Sequence, residues 1–585
     1  MTRTFVLAFC LITGLVAASQ SKIPRSVSGE WQGSVGGLRV VLKLEQAADG
    51  VLSGNLISLD QGNATIPIQT ASLQSGALRL EFKLIGATYE GKLSEDWAEI
   101  YGTWQQGGNS VPLLFRRPGV VVSSRLKPTT IGRIPFEPCR GEDGNTEGLC
   151  GRYEVYENRQ SRTGRKIALN IMVLPALSAK PAPDPLFPLA GGPGQSAVQA
   201  FPNTGYATAL QQQRNIVLVD QRGTGHSNLL QCQLKDPASA QSMVGDFYSS
   251  DKLRACRTEL EKRADLTQYT TSISADDLDE VRDALGYDHI NVFGGSYGTR
   301  VGLVYLRRHP EHVRTLTLEG VAPPQYKIPL PFAKTIQMSV EHLIDACASD
   351  DACKRSFPDL SSEFKTIVDR LEKSPAQFEI RNPAAKTTQT VTLSRGMFLA
   401  NLRAMLYIPM LAAQFPSMIH HVFKNDWTAY GATVLSLNAQ LERVLARGMQ
   451  FSVICAEDVP NITETEIKDE TQGTALGDFQ VRLYQKACQE WPRGSIPKDF
   501  FTPIHSDVPV LMISGVLDPA TPPAMAQQAA ADLAHSRLIA IQEGTHGTGS
   551  PCIDGLIAKF VVQGSLDGLD PTCTNDIHLP QFLTK

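Results

Sequence analysis

The chain has 585 residues. At roughly 100–200 residues per domain, about three structural units are expected. Hydrophobic residues make up 42% and charged residues 19%, a globular composition that excludes a largely disordered chain. The formal net charge of −4 offers no basic field, so nucleic acid is not an expected partner.

Residues 1–19 read as a secretory signal peptide. Arg3 supplies the positive start and Phe5 to Val16 the apolar run. Val16-Ala17-Ala18 and Ala17-Ala18-Ser19 supply the small residues a signal peptidase accepts. The run is too short to span a bilayer, which takes about 20 apolar residues, and no other segment is long and apolar enough for an integral membrane span. A secreted or periplasmic location is expected. Of the 11 cysteines, Cys10 leaves with the signal. The others fall as near neighbours: Cys139/Cys150, Cys232/Cys256, Cys347/Cys353, Cys455/Cys488 and Cys552/Cys573. Exported proteins keep disulfides. Connectivity cannot be read from sequence; sequential pairing, which closes short loops, is the expectation, with free buried thiols as the alternative. No CxxC-type cluster marks a zinc site, and no metal or organic cofactor is expected.

Residues 27–117 form a β zone. Strands are expected from Val40-Val41-Leu42-Lys43-Leu44, from Leu52-Ser53-Gly54-Asn55-Leu56 and from the alternating run Leu78–Leu84, with hairpin signals at Asp49-Gly50 and Gly62-Asn63. Trp31, Trp97 and Trp104 supply large apolar bodies. The reading is a small antiparallel barrel or sandwich that carries no catalytic constellation. Pro118 to Pro135 reads as a linker.

Residues 130–324 change rhythm. Strands are expected at Ile167–Leu174, Asn215–Val219, His289–Phe293 and Arg314–Leu318. A helix capped by Ser274 and stopped by Gly286 stands between two of them, and another starts at Tyr297. This alternation means an α/β fold with a mostly parallel sheet. Residues 325–500 are dominated by helical stretches, including Ala333–Ala346, Phe364–Leu371 and Gly396–Tyr407, and read as an inserted helical lid. Residues 501–585 resume the α/β pattern with Val508–Gly515, a helix Ala524–Leu533, a strand Ser536–Ile541 and a helix Ile553–Val562.

Four short segments carry the chemistry. Gly294-Gly295-Ser296-Tyr297-Gly298 lies between a strand and a helix, the context a nucleophile elbow requires. The tight turn strains Ser296 and demands residues without Cβ at Gly294 and Gly298. A serine hydroxyl needs a base and an acid that orients it. Downstream, Asp518 follows the strand ending at Gly515, and His546 follows the last strand, in the order Ser, Asp, His. Glu319, just after the strand Arg314–Leu318, is the rival acid. Gly191-Gly192-Pro193-Gly194 supplies a loop whose Gly192 N–H, together with the N–H of Tyr297, would form an oxyanion hole. Asp220-Gln221-Arg222-Gly223-Thr224-Gly225-His226-Ser227 reads as a structural loop in which Arg222 binds carbonyls or carboxylates.

These four segments together, with Ala190 before the glycines, resemble the α/β-hydrolase serine peptidases of the prolyl aminopeptidase and tripeptidyl aminopeptidase type, over about residues 130–575. The exported, disulfide-containing tripeptidyl aminopeptidase branch is most similar, through Cys150-Gly151-Arg152-Tyr153-Glu154-Val155 and the C-terminal segment. Ala190, where prolyl aminopeptidases usually carry His, and the β zone are departures. The resemblance implies a peptide substrate with a free N-terminus and a carboxylate to hold its ammonium group. Glu457, in Ile454-Cys455-Ala456-Glu457-Asp458 and pinned by a Cys455–Cys488 disulfide, is the candidate. A carboxylesterase or lipase with the same triad, and an inactive binding protein using the β domain, stay open.

Overall fold

The computed structural model describes residues 26–584 except 36–37, 60–63, 96, 107–108, 119–125, 142–145, 203 and 548. The expected signal peptide, 1–19, lies outside the described residues. The chain divides into two compact units: one running to Trp104 and including Pro112–Val122, the other containing Gln105–Val111 and Ser123–Lys585.

The first unit is built on one nine-stranded sheet. Its strands are β1 (Gly29–Val35), β2 (Leu38–Gln46), β3 (Leu52–Ser58), β4 (Ala64–Pro67), β5 (Thr70–Gln74), β6 (Ala77–Phe82), β7 (Ala87–Leu93), β8 (Glu99–Gln106) and β9 (Asn109–Arg116). The order is β4-β3-β2-β1-β9-β8-β7-β6-β5, antiparallel wherever the register is described. Alternation buries one side of β6: Leu78, Leu80 and Phe82 are buried while Ala77 and Arg79 are exposed. Trp31, Leu80, Tyr89 and Phe115 are fully buried, and the Tyr89 hydroxyl finds the Ile100 carbonyl at 2.9 Å.

The second unit carries a ten-stranded sheet. β10 (Thr129–Ile131), β11 (Ile134–Arg140), β12 (Glu147–Tyr156) and β13 (Lys166–Leu174) form an antiparallel flank that the sequence pattern did not separate from the rest. Then come β14 (Leu186–Leu189), β15 (Ile216–Val219), β16 (Ile290–Gly295) and β17 (Val313–Glu319), and, after the insertion, β20 (Val510–Gly515) and β21 (Ser536–Ile541). The order is β10-β11-β12-β13-β15-β14-β16-β17-β20-β21, parallel from β15 onward. A parallel sheet is covered on both faces, so its strands are continuously apolar. In β20, Val510 and Met512 join the core beneath helices Ser250–Glu261, Thr271–Leu285 and Tyr297–Arg308. Leu511 and Ile513 join the opposite core beneath helix Pro551–Gln563.

Helix Thr271–Leu285 starts a turn earlier than expected. Thr270 is its N-cap residue and Ser274 is buried inside it, so the reading of Ser274 as the cap is corrected. Its end is as read: Gly286 takes φ 79° and its N–H returns to the last turn. Between β17 and β20 the chain is mainly helical, with Phe332–Ser349, Leu360–Lys373, Arg395–Met405 and Thr428–Val444 the longest helices. The insertion also holds a hairpin, β18 (Ala376–Asn382) and β19 (Thr387–Leu393), absent from the sequence reading. Disulfides join Cys139–Cys150, Cys232–Cys256, Cys347–Cys353, Cys455–Cys488 and Cys552–Cys573, in sequential order. Among the described residues no helix is long and apolar enough to cross a membrane.

Two glycines separate conformational from steric demand. A Cβ on Gly298 would lie 2.0 Å from the Leu189 carbonyl oxygen, whereas at Gly286 the nearest atom would be 3.8 Å away. Gly298→Ala should therefore destabilise by about 1–3 kcal/mol through overpacking, despite alanine's better helix propensity. Gly286→Ala should cost about 1 kcal/mol through its positive φ alone. Urea unfolding of both variants checks this.

Candidate active site

All six parallel strands deliver a residue of interest at their C-terminal ends, the edge where open α/β sheets bind ligands. β14 leads to Gly191 and Gly192, β15 to Asp220, β16 to Ser296, β17 to Glu319 and Gly320, β20 to Asp518, and β21 to His546.

Ser296 sits between β16 and helix Tyr297–Arg308 with φ 54° and ψ −122°, an uncommon backbone conformation for a residue with a side chain. Its N–H donates to the Glu319 carbonyl at 2.8 Å. A Cβ on Gly294 would come within 2.5 Å of the Gly298 carbonyl, and one on Gly191 within 3.2 Å of the Ser296 Cβ. Helix, strand and neighbouring loop thus approach each other at backbone distance around the serine.

His546 Nε2 lies 2.9 Å from Ser296 Oγ, and His546 Nδ1 lies 2.8 Å from Asp518 Oδ2. An ionised carboxylate only accepts, so Nδ1–H donates to Asp518 and Nε2 is left to accept from the serine hydroxyl. Asp518 is 1% exposed. Its Oδ1 accepts the N–H groups of Ala520 (2.8 Å) and Thr521 (3.0 Å), and its Oδ2 the Thr521 hydroxyl (2.7 Å). Burial pushes the Asp518 pKa up, but the charge and hydrogen bond of His546 and the bonds from Thr521 outweigh it, leaving the pKa below the ordinary carboxylate value. For His546, burial pulls down and Asp518 pushes up more strongly, so its pKa is raised.

The insertion holds this loop. The Thr335 hydroxyl donates to the Pro519 carbonyl (2.7 Å), the Ser339 hydroxyl to Leu517 (2.8 Å) and the Tyr326 hydroxyl to Ala520. Tyr407 stacks on the His546 ring with centroids 4.3 Å apart, and the Thr545 hydroxyl donates to the Tyr407 carbonyl at 2.9 Å. Thr521, Tyr407 and Gly320, whose added Cβ would lie 3.5 Å from His546 Cε1, were missed in the sequence. Only Thr521 left a signal, as a hydroxyl three residues after Asp518 in a turn.

The N–H groups of Gly192 and Tyr297 donate to no group among the described residues. Tyr297 opens a helix, where amides lack intrahelical acceptors and the dipole favours negative charge. This pair suits a developing oxyanion beside Ser296. Glu319 contributes its carbonyl to Ser296, while the carboxylate on His546 Nδ1 is that of Asp518. Asp220 is structural: Oδ1 accepts from the Ser196 hydroxyl at 2.6 Å, and Oδ2 from the Asn170 side chain at 2.9 Å and the His226 N–H at 3.1 Å. Fully buried Arg222 clamps Asp277 at 2.5 and 2.8 Å and donates to the carbonyls of Glu157 and Gln268.

The structure corrects the reading of Glu457 as an ammonium anchor. Its side chain is 0% exposed. Oε1 accepts the Thr271 N–H at 2.5 Å, Oε2 accepts the Thr271 hydroxyl at 2.7 Å, and Arg300 lies 3.6 Å away. A substrate ammonium finds no open face there. Burial pushes the Glu457 pKa up to about 7 against the pull of Arg300.

Asp279, His309 and His312 bring three potential ligand atoms within 4.8 Å of one another. Arg282 and Tyr305 already occupy Asp279 Oδ1 at 2.7 and 2.9 Å, so the carboxylate is neutralised within the protein. This group borders a polar groove of about 1430 Å³ whose lining includes none of Ser296, Asp518 or His546.

Residues 184–548 match the alpha/beta hydrolase fold family, well over half of the chain. The chain belongs to this family. Serine protease Hip1 of Mycobacterium tuberculosis is 24% identical over 488 residues, 76% of this chain and 91% of that protein. A tripeptidyl aminopeptidase of Streptomyces coelicolor is 24% identical over 414 residues, 66% of this chain and 75% of that protein. The solved structure of a proline iminopeptidase from Mycobacterium smegmatis aligns with a TM-score of 0.32 at 16% identity, covering 71% of this chain and 98% of that one. This α/β-hydrolase is a serine hydrolase with peptidase relatives.

His546 must be neutral to accept a proton, so its raised pKa places the acid limb of kcat/KM above the ordinary histidine value of 6.5. Asp518→Asn should shift that limb to lower pH and cut kcat by about 10⁴-fold. A kcat/KM–pH profile on a chromogenic ester reads both effects.

Proposed function

We propose that this α/β-hydrolase is an exported serine aminopeptidase that releases short peptides or residues from free N-termini through an acyl-enzyme. The carrying observation is the hydrogen-bonded series Ser296–His546–Asp518, with steps of 2.9 and 2.8 Å, beside which the backbone N–H groups of Gly192 and Tyr297 have no acceptor among the described residues. Ser296 Oγ attacks the scissile carbonyl while His546 Nε2 takes its proton. Asp518 orients the imidazole and stabilises its charged form. The amides of Gly192 and Tyr297 receive the oxyanion. Collapse of the tetrahedral species breaks the C–N bond as His546 returns the proton to the leaving amine. Water, deprotonated by His546, then releases the acyl group and restores the serine.

The peptidase reading draws on the relatives named serine protease and tripeptidyl aminopeptidase, and export on the five disulfides. In this reading the helical insertion acts as a lid over the strand ends and restricts access to peptide termini. The sealed Glu457 leaves amine recognition to other groups, which makes esterase activity the outcome to test against.

A fluorophosphonate should modify Ser296, and Ser296→Ala should abolish both labelling and turnover, lowering kcat by at least about 10³-fold. Peptide anilides with a free N-terminus should be cleaved well, and their N-acetylated forms poorly. Equal turnover of both forms, or turnover confined to p-nitrophenyl esters, would overturn the aminopeptidase reading while leaving the hydrolase intact.

A further inference from the structure

The segment 445–458 of the insertion touches both halves of the oxyanion site. On one side it meets the loop after β14. Leu445 forms an antiparallel bridge with Gln195, and the Ala446 N–H donates to the Gly194 carbonyl at 2.9 Å. The fit is close: a Cβ on Gly194 would lie 2.7 Å from the Ala446 carbonyl oxygen, and one on Gly192 3.2 Å from Leu445 Cδ2. On the other side it reaches Tyr297 through Thr271. The Tyr297 hydroxyl and Thr271 Oγ1 are 2.7 Å apart, and Thr271 donates through both Oγ1 and its N–H to Glu457. In its ionised form the Glu457 carboxylate accepts only, which sets the direction of the chain: Thr271 O–H points at Glu457, and Tyr297 O–H points at Thr271.

One turn along the helix that starts at Tyr297, Arg300 binds the Asp458 carboxylate at 3.0 and 3.2 Å. The same helix is therefore tied to the segment at two points. Tyr297, Thr271, Arg300, Glu457 and Asp458 are all buried.

The segment itself has little freedom. All seven residues of helix Arg447–Val453 are buried, the Trp491 indole donates to the Ser452 hydroxyl at 3.1 Å, and Cys455 is bonded to Cys488. Two buried carboxylates around one arginine are a poor source of stability, because desolvation consumes most of the Coulombic gain. Such a group is better suited to holding neighbouring parts in one arrangement.

We propose that segment 445–458 is a positioning strut for the oxyanion site. Ala446 sets the loop carrying the Gly192 N–H, and Glu457 acts through Thr271 to set Tyr297, whose N–H is the second donor. None of the three touches the reacting atoms. An oxyanion hole acts only if its donors stand where the charge develops, and displacements of about 1 Å cost up to 10²-fold in rate.

The proposal rests on the serine-hydrolase reading, and the test separates the two. Active sites are counted by fluorophosphonate titration; an unlabelled wild-type Ser296 would sink the hydrolase reading itself. The variants are Glu457→Gln, Thr271→Val and Ala446→Pro. Ala446 has φ −68°, which proline shares, and Leu445 has φ −107° and ψ 118°, which a following proline accepts, so that change keeps the local dihedrals of the segment while its ring displaces the Gly194 carbonyl from the lost N–H. Each variant should lower kcat per titrated site by about 10- to 100-fold with KM within about twofold. The Ki of a peptide boronic acid, a transition-state analogue, should rise by the same factor. Thr271→Ser, which keeps the hydroxyl, should restore wild-type values. If Thr271→Val and Ala446→Pro melt earlier or titrate fewer sites but keep wild-type kcat per site, the segment only supports the fold and the proposal fails. A fall in kcat without a matching rise in Ki fails it as well.

Discussion

A buried carboxylate sets the terms for this molecule. Asp518 is 1% exposed, and an anion in that position is tolerable only when its lone pairs are satisfied. Two backbone amides, a threonine hydroxyl and an imidazole meet that need. Meeting it fixes the turn after β20, the side chain of Thr521 and the ring of His546 together. The histidine nitrogen that remains then points at Ser296. The site chemistry follows from the solution to one electrostatic problem.

The surrounding backbone is arranged so that these groups can meet. Parallel strands end at one edge, and each contributes its next few residues to that edge. Between β14, β16 and helix Tyr297–Arg308 there is no room for a methyl group at Gly294 or Gly298, and Ser296 takes a left-handed φ in the gap. The helix begins immediately after the serine, so its first amide, without an acceptor among the described residues, and the positive end of its dipole stand next to the serine in the chain. Strain, close packing and electrostatic preparation are three aspects of one turn.

The insertion is bound to the core by hydrogen bonds at several places around that edge. Thr335, Ser339 and Tyr326 hold the carbonyls around Asp518, Tyr407 lies against His546, and Leu445 to Asp458 runs from the Gly192 loop to the arginine of the nucleophile helix. In the core, Asp220 and Arg222 perform comparable work, each gathering donors or acceptors from several elements. Polar burial here connects segments distant in sequence, where apolar packing alone would permit sliding.

The sequence by itself determined what depends on neighbouring residues. The glycines around Ser296, the apolar strand before it and the loops bearing Asp518 and His546 are local patterns, because an elbow's sterics and a parallel strand's two buried faces leave marks within a few residues. The parallel strands β15, β16, β17, β20 and β21 and Gly286 as a helix stop were readable for the same reason. Tertiary structure alone decided the rest. Ser274 had the local form of a cap, but the helix starts a turn earlier, where the distant Glu457 accepts the Thr271 N–H and hydroxyl. Glu457 had the composition of an exposed acid, yet folding enclosed it with Thr271 and Arg300, residues more than a hundred positions away. The stacking of Tyr407 on His546 is equally remote in sequence. Exposure and partnership of a polar side chain depend on which distant segments close over it, and that information is carried by packing across the whole unit.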